Sequence, residues 1–335
     1  MRYVEVQGVR LSAIGLGCWQ FGAKEWGYGS SYADGEAGRI VERALELGIN
    51  LFDTAEAYAR GQSERILGRA LQGHRAESFI ATKMLPVLPL SSLVVQRAEA
   101  SLRRLGVDKI DLYQLHWPNP VVPMSQQMGG MRELQRRGLV DHVGVSNYSL
   151  ARWRAAEAAL SGPVMSNQVQ YSLVHRGPEA ELVPWAASND RLVLAYSPLA
   201  QGFLSARYDV SNAPRGVRLN NSMFLPENLR AAAPLLDALR GIATARGVTP
   251  AQVALAWVIR RPNVVAIPGA SSVAQLEQNA AAADLNLDDE EDAQLTAASD
   301  AFRPIHGAAA VPKLLERRLR GTSPSAPSAS SGTAG

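Results

Sequence analysis

Ile40-Val41-Glu42-Arg43-Ala44-Leu45-Glu46-Leu47-Gly48-Ile49-Asn50-Leu51-Phe52-Asp53 changes its hydrophobic period halfway along. Ile40, Ala44 and Leu47 recur at the spacing of one helix face, and Gly48 stands where a helix C-cap belongs. Ile49–Asp53 is then short, apolar and strand-length. The same hand-over from helix to strand recurs downstream, where Val94, Ala98, Leu102 and Leu105 share a face before Gly106 and the run Ile110–His116 follows. Working outward, further runs of this kind occupy Ile14–Cys18, Phe79–Thr82, Val140–Val145, Ser166–Val169, Arg191–Tyr196 and Val264–Ile267. That makes eight candidate strands separated by helix-period stretches. Alternating strand and helix implies parallel strands joined by crossovers, and eight of them suit a single-domain (β/α)8 TIM barrel.

A doubly wound dinucleotide-binding sheet is the competing architecture. Its fingerprint would fall at Gly15-Leu16-Gly17-Cys18-Trp19-Gln20, but this stretch ends in glutamine and runs into a Gly- and aromatic-rich loop rather than a helix. The barrel is expected to fill residues 1–310. Residues 311–335 read as a basic segment with a disordered tail, because GTSPSAPSASSGTAG has almost no apolar content. Gly202–Pro226 is too long for an ordinary connection and reads as a lid or cofactor clamp. Helical patterns cover about Leu229–Arg246 and Ala251–Arg260, and the acidic run Asp288–Asp292 reads as a solvated first helical turn.

The 335 residues are 47% hydrophobic and 19% charged, with 34 basic and 31 acidic side chains, for a formal charge of +3. So small an imbalance argues against a nucleic-acid partner. The lone Cys18 permits neither an internal disulfide nor a multi-cysteine metal site, and the five histidines show no ligand spacing, so no metal is expected. No window reaches the apolar length of a membrane span, and the first residues lack the apolar core of a signal peptide. A soluble, cytoplasmic protein without a membrane partner is expected.

In a barrel, the side chains at the C-terminal ends of the strands converge on one mouth. Read in order, those ends carry Cys18-Trp19, Asp53, Lys83, His116, Ser146-Asn147, Gln168 and Tyr196-Ser197. Here the sequence resembles the aldo-keto reductase superfamily from about residue 1 to 300. The resemblance rests on Asp53 with Tyr58 five residues on, the following Glu64-Arg65-Ile66-Leu67-Gly68, Ala81-Thr82-Lys83, Leu115-His116-Trp117-Pro118, Gly144-Val145-Ser146-Asn147 and Asn167-Gln168. It implies a catalytic tetrad of Asp53, Tyr58, Lys83 and His116. Carbonyl reduction needs a proton donor at the developing alkoxide, and a free tyrosine, with a pKa of about 10, is a reluctant acid near neutrality. Lys83, held as ammonium by Asp53, is expected to lower the pKa of Tyr58, while His116 orients the carbonyl. A rival role for Lys83, as a Schiff-base lysine, leaves Tyr58 and His116 unexplained.

No side chain supplies hydride, so a cofactor is required. The resemblance implies a nicotinamide dinucleotide across the barrel mouth. Gly17, Cys18 and Trp19 match the first strand end near the nicotinamide, Ser146, Asn147 and Gln168 its carboxamide contacts, and Tyr196 the ring stacked on it. Ser197, Pro198, Leu199, Gln201 and Gly202 match the loop along the pyrophosphate. Gly269, Ser271, Gln275, Gln278 and Asn279 match the segment after the last strand, where many relatives place Lys or Arg and this chain has neither. Arg207 matches a basic lid position of the long-chain branch that resembles potassium-channel β subunits, with Arg215 and Arg218 nearby, so NADP(H) is preferred over NAD(H). Trp26, Tyr28 and Trp117 are candidates for an apolar substrate pocket. The expected activity is reversible reduction of a small-molecule aldehyde or ketone. The alternatives are a cofactor-binding regulatory subunit with slow turnover and an NAD-dependent sugar or polyol dehydrogenase.

Overall fold

A computed structural model describes residues 1–29, 32–214 and 216–321. Ten strands run along them: β1 Tyr3–Val6, β2 Val9–Ser12, β3 Leu16–Gly17, β4 Leu51–Asp53, β5 Phe79–Met84, β6 Ile110–Leu115, β7 Val140–Ser146, β8 Ser166–Gln170, β9 Leu192–Tyr196 and β10 Val264–Ala266. Strands β3 to β10 pair in parallel and in chain order. The sheet then closes on itself, because Ile14 bridges Ala266 and Gly17 bridges Gly269. Gly15 donates to the Ala266 carbonyl at 2.8 Å and Gly17 to the Pro268 carbonyl at 3.0 Å. The expected (β/α)8 TIM barrel is the observed fold.

The seam between β3 and β10 is narrow for a steric reason. A Cβ at Gly17 would lie 2.7 Å from the Ile267 carbonyl oxygen, so this approach of two backbones requires glycine. Inside the barrel, Leu51, Phe79, Leu112, Met165, Leu192, Leu194, Val265 and Ile267 form one buried cluster. A larger core fills the space between strands and outer helices. Both helix-capping glycines of the sequence reading adopt left-handed φ, 78° at Gly48 and 68° at Gly106.

The antiparallel pair β1–β2 adds Val6 and Leu11 to the inner cluster. Its turn, Gln7-Gly8, has φ of 51° and 75°. The turn is tied to the barrel by the Asp190 carboxylate, which accepts from the Gln7 backbone at 3.0 Å, while the Asn50 side chain accepts from Ser12 N at 2.8 Å.

The helix read as Leu229–Arg246 is in fact two, Pro226–Ala231 and Ala233–Arg246. Pro234, with no N–H to give, sits in the first turn of the second and ends the first. Short 3-10 turns at Gly216–Asn220 and Ser222–Phe224 lie within the segment 202–226, and a third, Ala200–Ser205, runs into its start. The acidic run does open a helix, Asp289–Ala301, with Asp288 and Glu291 forming a capping box. Residues 311–321 form a helix, whereas Arg215 and the tail from residue 322 lie outside the described residues. Among the described residues no single helix is long and apolar enough to cross a membrane.

Candidate active site

Asp53 ends β4, Lys83 lies near the end of β5, and His116 follows β6, so pairing of neighbouring strands brings the three together. Lys83 is fully buried, and its Nζ donates to Asp53 Oδ1 at 2.9 Å, Asp53 Oδ2 at 2.7 Å and the Thr54 carbonyl at 2.7 Å. It also lies 3.2 Å from the Tyr58 hydroxyl. These contacts use all three ammonium protons. No lone pair is left to attack a carbonyl, so the geometry does not favour a Schiff-base role.

Tyr58 is carried on a turn that sequence patterning cannot foresee. Ala59 and Arg60 both adopt left-handed φ, 45° and 55°, followed by Gly61 at 82°. Successive non-glycine residues in this region each cost on the order of 1 kcal/mol or more, so surrounding contacts must hold the turn. Behind it, Glu64 is fully buried, accepts from Thr82 Oγ1 at 2.7 Å and pairs with Arg104. Glu56 accepts from Arg97 Nε at 2.9 and 3.0 Å. The ionic partners of Glu64 and Glu56, Arg104 and Arg97, are thus both on the helix Ser91–Leu105, too remote in sequence to be inferred.

The ionisation pattern follows from burial and charge. Burial opposes the charge on Lys83, yet Asp53 and Tyr58 together hold its pKa above the ordinary value. Burial pushes the Tyr58 phenol up, Lys83 draws it down, and Asp53 raises it again, with the net shift upward. The expectation of a lowered phenol pKa is therefore corrected: Lys83 acts in the expected sense, but desolvation of the phenolate outweighs it. Tyr58 keeps its proton at neutral pH. Burial and the nearby Lys83 charge lower His116 to about 3, so its ring is neutral throughout the physiological range. The Tyr58 and His116 rings lie 5.7 Å apart, edge to face.

A cavity of about 1000 Å³ opens over this cluster, and Asp53, Tyr58 and His116 line one part of it. Its wall also includes Gly17, Trp19, Trp26, Trp117, Ser146, Asn147, Gln168, Tyr196, Ser197, Pro198, Leu199, Gln201, Gly202, Arg207, Gly269, Ser271, Gln275, Gln278 and Asn279. Nearly every residue expected at the mouth is therefore there. Two are not. The Cys18 side chain is fully buried with its thiol directed to the Leu16 carbonyl, because alternation continuing past the end of β3 sends Gly17 and Trp19 to the cavity and Cys18 away. The Tyr28 ring packs edge to face on Tyr32 and is absent from the wall.

The polar groups of the wall are mutually ordered. Gln168 Nε2 donates to Asp53 Oδ1 at 2.7 Å, Ser146 Oγ donates to the Gln168 carbonyl at 2.9 Å, and the Tyr196 hydroxyl donates to Asn147 Oδ1 at 3.0 Å. A strap containing Gly216, Arg218 and Asn221 forms part of the wall, with the Arg218 guanidinium 5.1 Å from the Trp26 ring centroid and Arg218 Nε donating to the Gln201 carbonyl at 2.8 Å. Asn221 Nδ2 donates to Gln201 Oε1 at 3.1 Å. Gln20, Gln170, Ser205 and Asn221 also line the cavity and were not singled out as site residues by the sequence, since isolated polar residues carry no periodic signal.

A buried Asp–Lys–Tyr cluster with a neutral histidine, at the C-terminal mouth of a (β/α)8 barrel, defines a class of carbonyl-chemistry enzymes rather than a single activity. The chain belongs to the aldo/keto reductase family, whose model matches residues 13–300, and its class is that of a nicotinamide-dependent oxidoreductase. An uncharacterized oxidoreductase of Mycobacterium tuberculosis is 55% identical over 306 residues, covering 91% of this chain and 95% of that protein. The methylglyoxal reductase of Escherichia coli is 35% identical over 288 residues, covering 86% and 90%. A crystal structure of an aldo/keto reductase from Klebsiella pneumoniae in complex with NADP and acetate superimposes with a TM-score of 0.71 at 33% identity, covering 88% of this chain and 93% of that one.

Proposed function

We propose that this protein reversibly reduces an aldehyde or ketone to an alcohol, with Tyr58 as the proton donor and NADP(H) as the preferred cofactor. The observation that carries the reading is the 3.2 Å contact between Lys83 Nζ and the hydroxyl of a still-protonated Tyr58 on the wall of the cavity.

The donor set suits the cofactor. Its volume, about 1000 Å³, stands at the upper end of small-molecule sites, enough for a dinucleotide and a small carbonyl compound. Ser146, Asn147 and Gln168 offer the donors and acceptors that a neutral carboxamide needs. Arg207 and Arg218 on the wall offer guanidinium groups to phosphates, and the N-terminus of the helix Val273–Ala281 with Ser271 offers backbone N–H and hydroxyl donors. When bound, the reduced nicotinamide supplies hydride. The Klebsiella relative's NADP complex and the two wall arginines support NADP(H), although the segment Gly269–Asn279 itself contains no Lys or Arg.

The chain's own residues do the rest. His116, neutral, donates a hydrogen bond that orients the carbonyl oxygen. Tyr58 gives its proton to that oxygen as negative charge develops on it, and takes it back in the oxidative direction. Lys83 steadies the resulting phenolate from a distance of one hydrogen bond, and Asp53 with Gln168 keeps the ammonium in place. The test is steady-state turnover of NADPH with a panel of aldehydes, for wild type and Tyr58→Phe. Loss of the proton donor should lower kcat by roughly 10²- to 10⁴-fold with cofactor affinity unchanged. Wild-type kcat in Tyr58→Phe would sink the mechanism, and tighter binding of NADH than NADPH would reverse the cofactor preference.

A further inference from the structure

A second recess, of about 480 Å³, lies between the helices Gln62–Ala70 and Ser91–Leu105 and shares no wall residue with the cavity at the mouth. Its wall carries Arg65, Arg69, Arg103 and Arg104, and among the described residues no acidic side chain. The space is set by Gly68, where a Cβ would fall 2.1 Å from the Leu105 carbonyl oxygen. The two helices therefore meet backbone to backbone, and the arginines line the gap beside that contact.

Two of the four charges are already neutralised, because Arg69 pairs with Asp34 and Arg104 with the buried Glu64. The other two are not. Among the described residues the Arg103 guanidinium has no hydrogen-bond or ion-pair partner, and Arg65 has only a neutral one, Gln62 Oε1 at 3.3 Å. Helix electrostatics explains part of the cluster, since Arg69, Arg103 and Arg104 stand in last turns, where cations complement the dipole. Arg65 is different. It stands near the start of its helix, where the dipole opposes a cation, and four residues before Arg69, where like charges repel. An anion in the recess offsets both effects.

The recess also reaches the turn that carries Tyr58. A Cβ at Gly61 would lie 2.7 Å from Arg104 Cδ and 3.5 Å from Arg65 Nη1, so both arginines bear on this glycine. The next amide, Gln62 N, closes the turn on the carbonyls of Tyr58 and Ala59.

We infer that this recess binds a small anion of the phosphate or diphosphate class, carrying two or more negative charges, and that the bound anion stiffens the turn at Tyr58. Arg65 and Arg103 supply the free guanidinium donors, whose forked geometry matches phosphate oxygens. Their two uncompensated charges select a multiply charged anion over chloride or a single carboxylate. A compact recess, in a chain of formal charge +3, favours a small anion over nucleic acid. Neither binding nor stiffening requires turnover, so the site is independent of the reductase activity.

The experiment is calorimetric titration of the full chain with pyrophosphate at constant ionic strength. It is made in the background Arg207→Gln, Arg218→Gln, which removes the mouth guanidinium groups that a diphosphate could also meet, with and without the added pair Arg65→Gln, Arg103→Gln. Arg65 and Arg103 are exposed, so their replacement leaves the fold in place. The background protein should bind pyrophosphate saturably, and the added pair should weaken binding about a hundredfold, about tenfold for each charged hydrogen bond lost. Binding that the added pair leaves unchanged, or that chloride reproduces at the same ionic strength, overturns the site. A short oligonucleotide held through the same two arginines more tightly than pyrophosphate also overturns it, in favour of nucleic acid. Hydrogen exchange then reads the turn through the amides of Arg60, bonded to the Ala57 carbonyl, and Gln62. With pyrophosphate at about ten times its Kd both should exchange about tenfold more slowly, because opening the turn requires release of the anion. Unchanged exchange with the site filled overturns the stiffening.

Discussion

Replacement of Lys83 by methionine isolates the energetic role of the buried ion pair. Methionine preserves much of the volume but removes Nζ, and with it both contacts to Asp53, at 2.9 and 2.7 Å, and the bond to the Thr54 carbonyl at 2.7 Å. Asp53 would keep only the 2.7 Å bond from Gln168. At an effective dielectric constant of about 20, charges about 3 Å apart attract by roughly 6 kcal/mol, and desolvation of both ions offsets much of this in the intact pair. Deleting one partner forfeits the attraction and leaves the other's desolvation in place. Lys83→Met should therefore lose about 3–5 kcal/mol of stability, a fall in Tm on the order of 10 °C. The double variant Asp53→Asn, Lys83→Met should cost no more than the worse single variant, because no uncompensated charge remains. Urea unfolding followed by circular dichroism, with m-values compared across the set, measures both. A loss under 1 kcal/mol in Lys83→Met, or additive losses in the double variant, would refute the view that the pair is a mutually dependent buried unit.

Other consequences are equally open to measurement. His116, held near 3, is neutral from pH 5 to 9 and Tyr58 stays protonated up to at least its ordinary range near 10, so the reductive kcat/KM should be flat between pH 6 and 9, whereas an acid limb with a midpoint near 6.5 would show that His116 titrates. The same depression means that the folded state resists protonating His116, so its contribution to stability is complete above pH 6.5 and declines as pH falls toward 3; His116→Asn should show a shallower acid loss in pH-dependent melts. Gly17→Ala would press a methyl against the Ile267 carbonyl, 2.7 Å from the position of its Cβ, and should destabilise the barrel by about 1–3 kcal/mol; an unchanged Tm would show that the seam can widen freely. Arg218→Ala removes the cation–π contact to Trp26 and the bond to the Gln201 carbonyl, and stopped-flow release of NADPH should quicken about tenfold if the strap retains the cofactor.

The site was legible in the sequence because barrel topology turns strand ends into neighbours. Once Ile49–Asp53 and Ile110–His116 are recognised as parallel strands, Asp53 and His116 must face one opening, whatever the loops do. What sequence patterning missed was of four kinds. Strand parity decided Cys18 against the cavity, a matter of one residue in a two-residue strand whose ends are ambiguous. Tertiary packing imposed left-handed turns on Ala59 and Arg60, which are ordinary helix formers. The hairpin Tyr3–Ser12 had a readable signal, Val4, Val6, Val9 and Leu11 alternating around Gln7-Gly8, but it is too short to stand out before the barrel beneath it is known. The balance of forces on Tyr58 was beyond composition altogether, since burial and the Lys83 charge oppose one another and only coordinates rank them.

That hairpin has an implication for the order of assembly. Its anchors, Asn50 and Asp190, stand 38 residues from Ser12 and 183 from Gln7. The hairpin thus finds its seat only after most of the strands that follow it in the chain and surround the inner core have been made. Loop closure over such separations is slow, so this hairpin should be among the last elements to gain hydrogen-exchange protection during refolding, although it precedes the barrel strands in the chain.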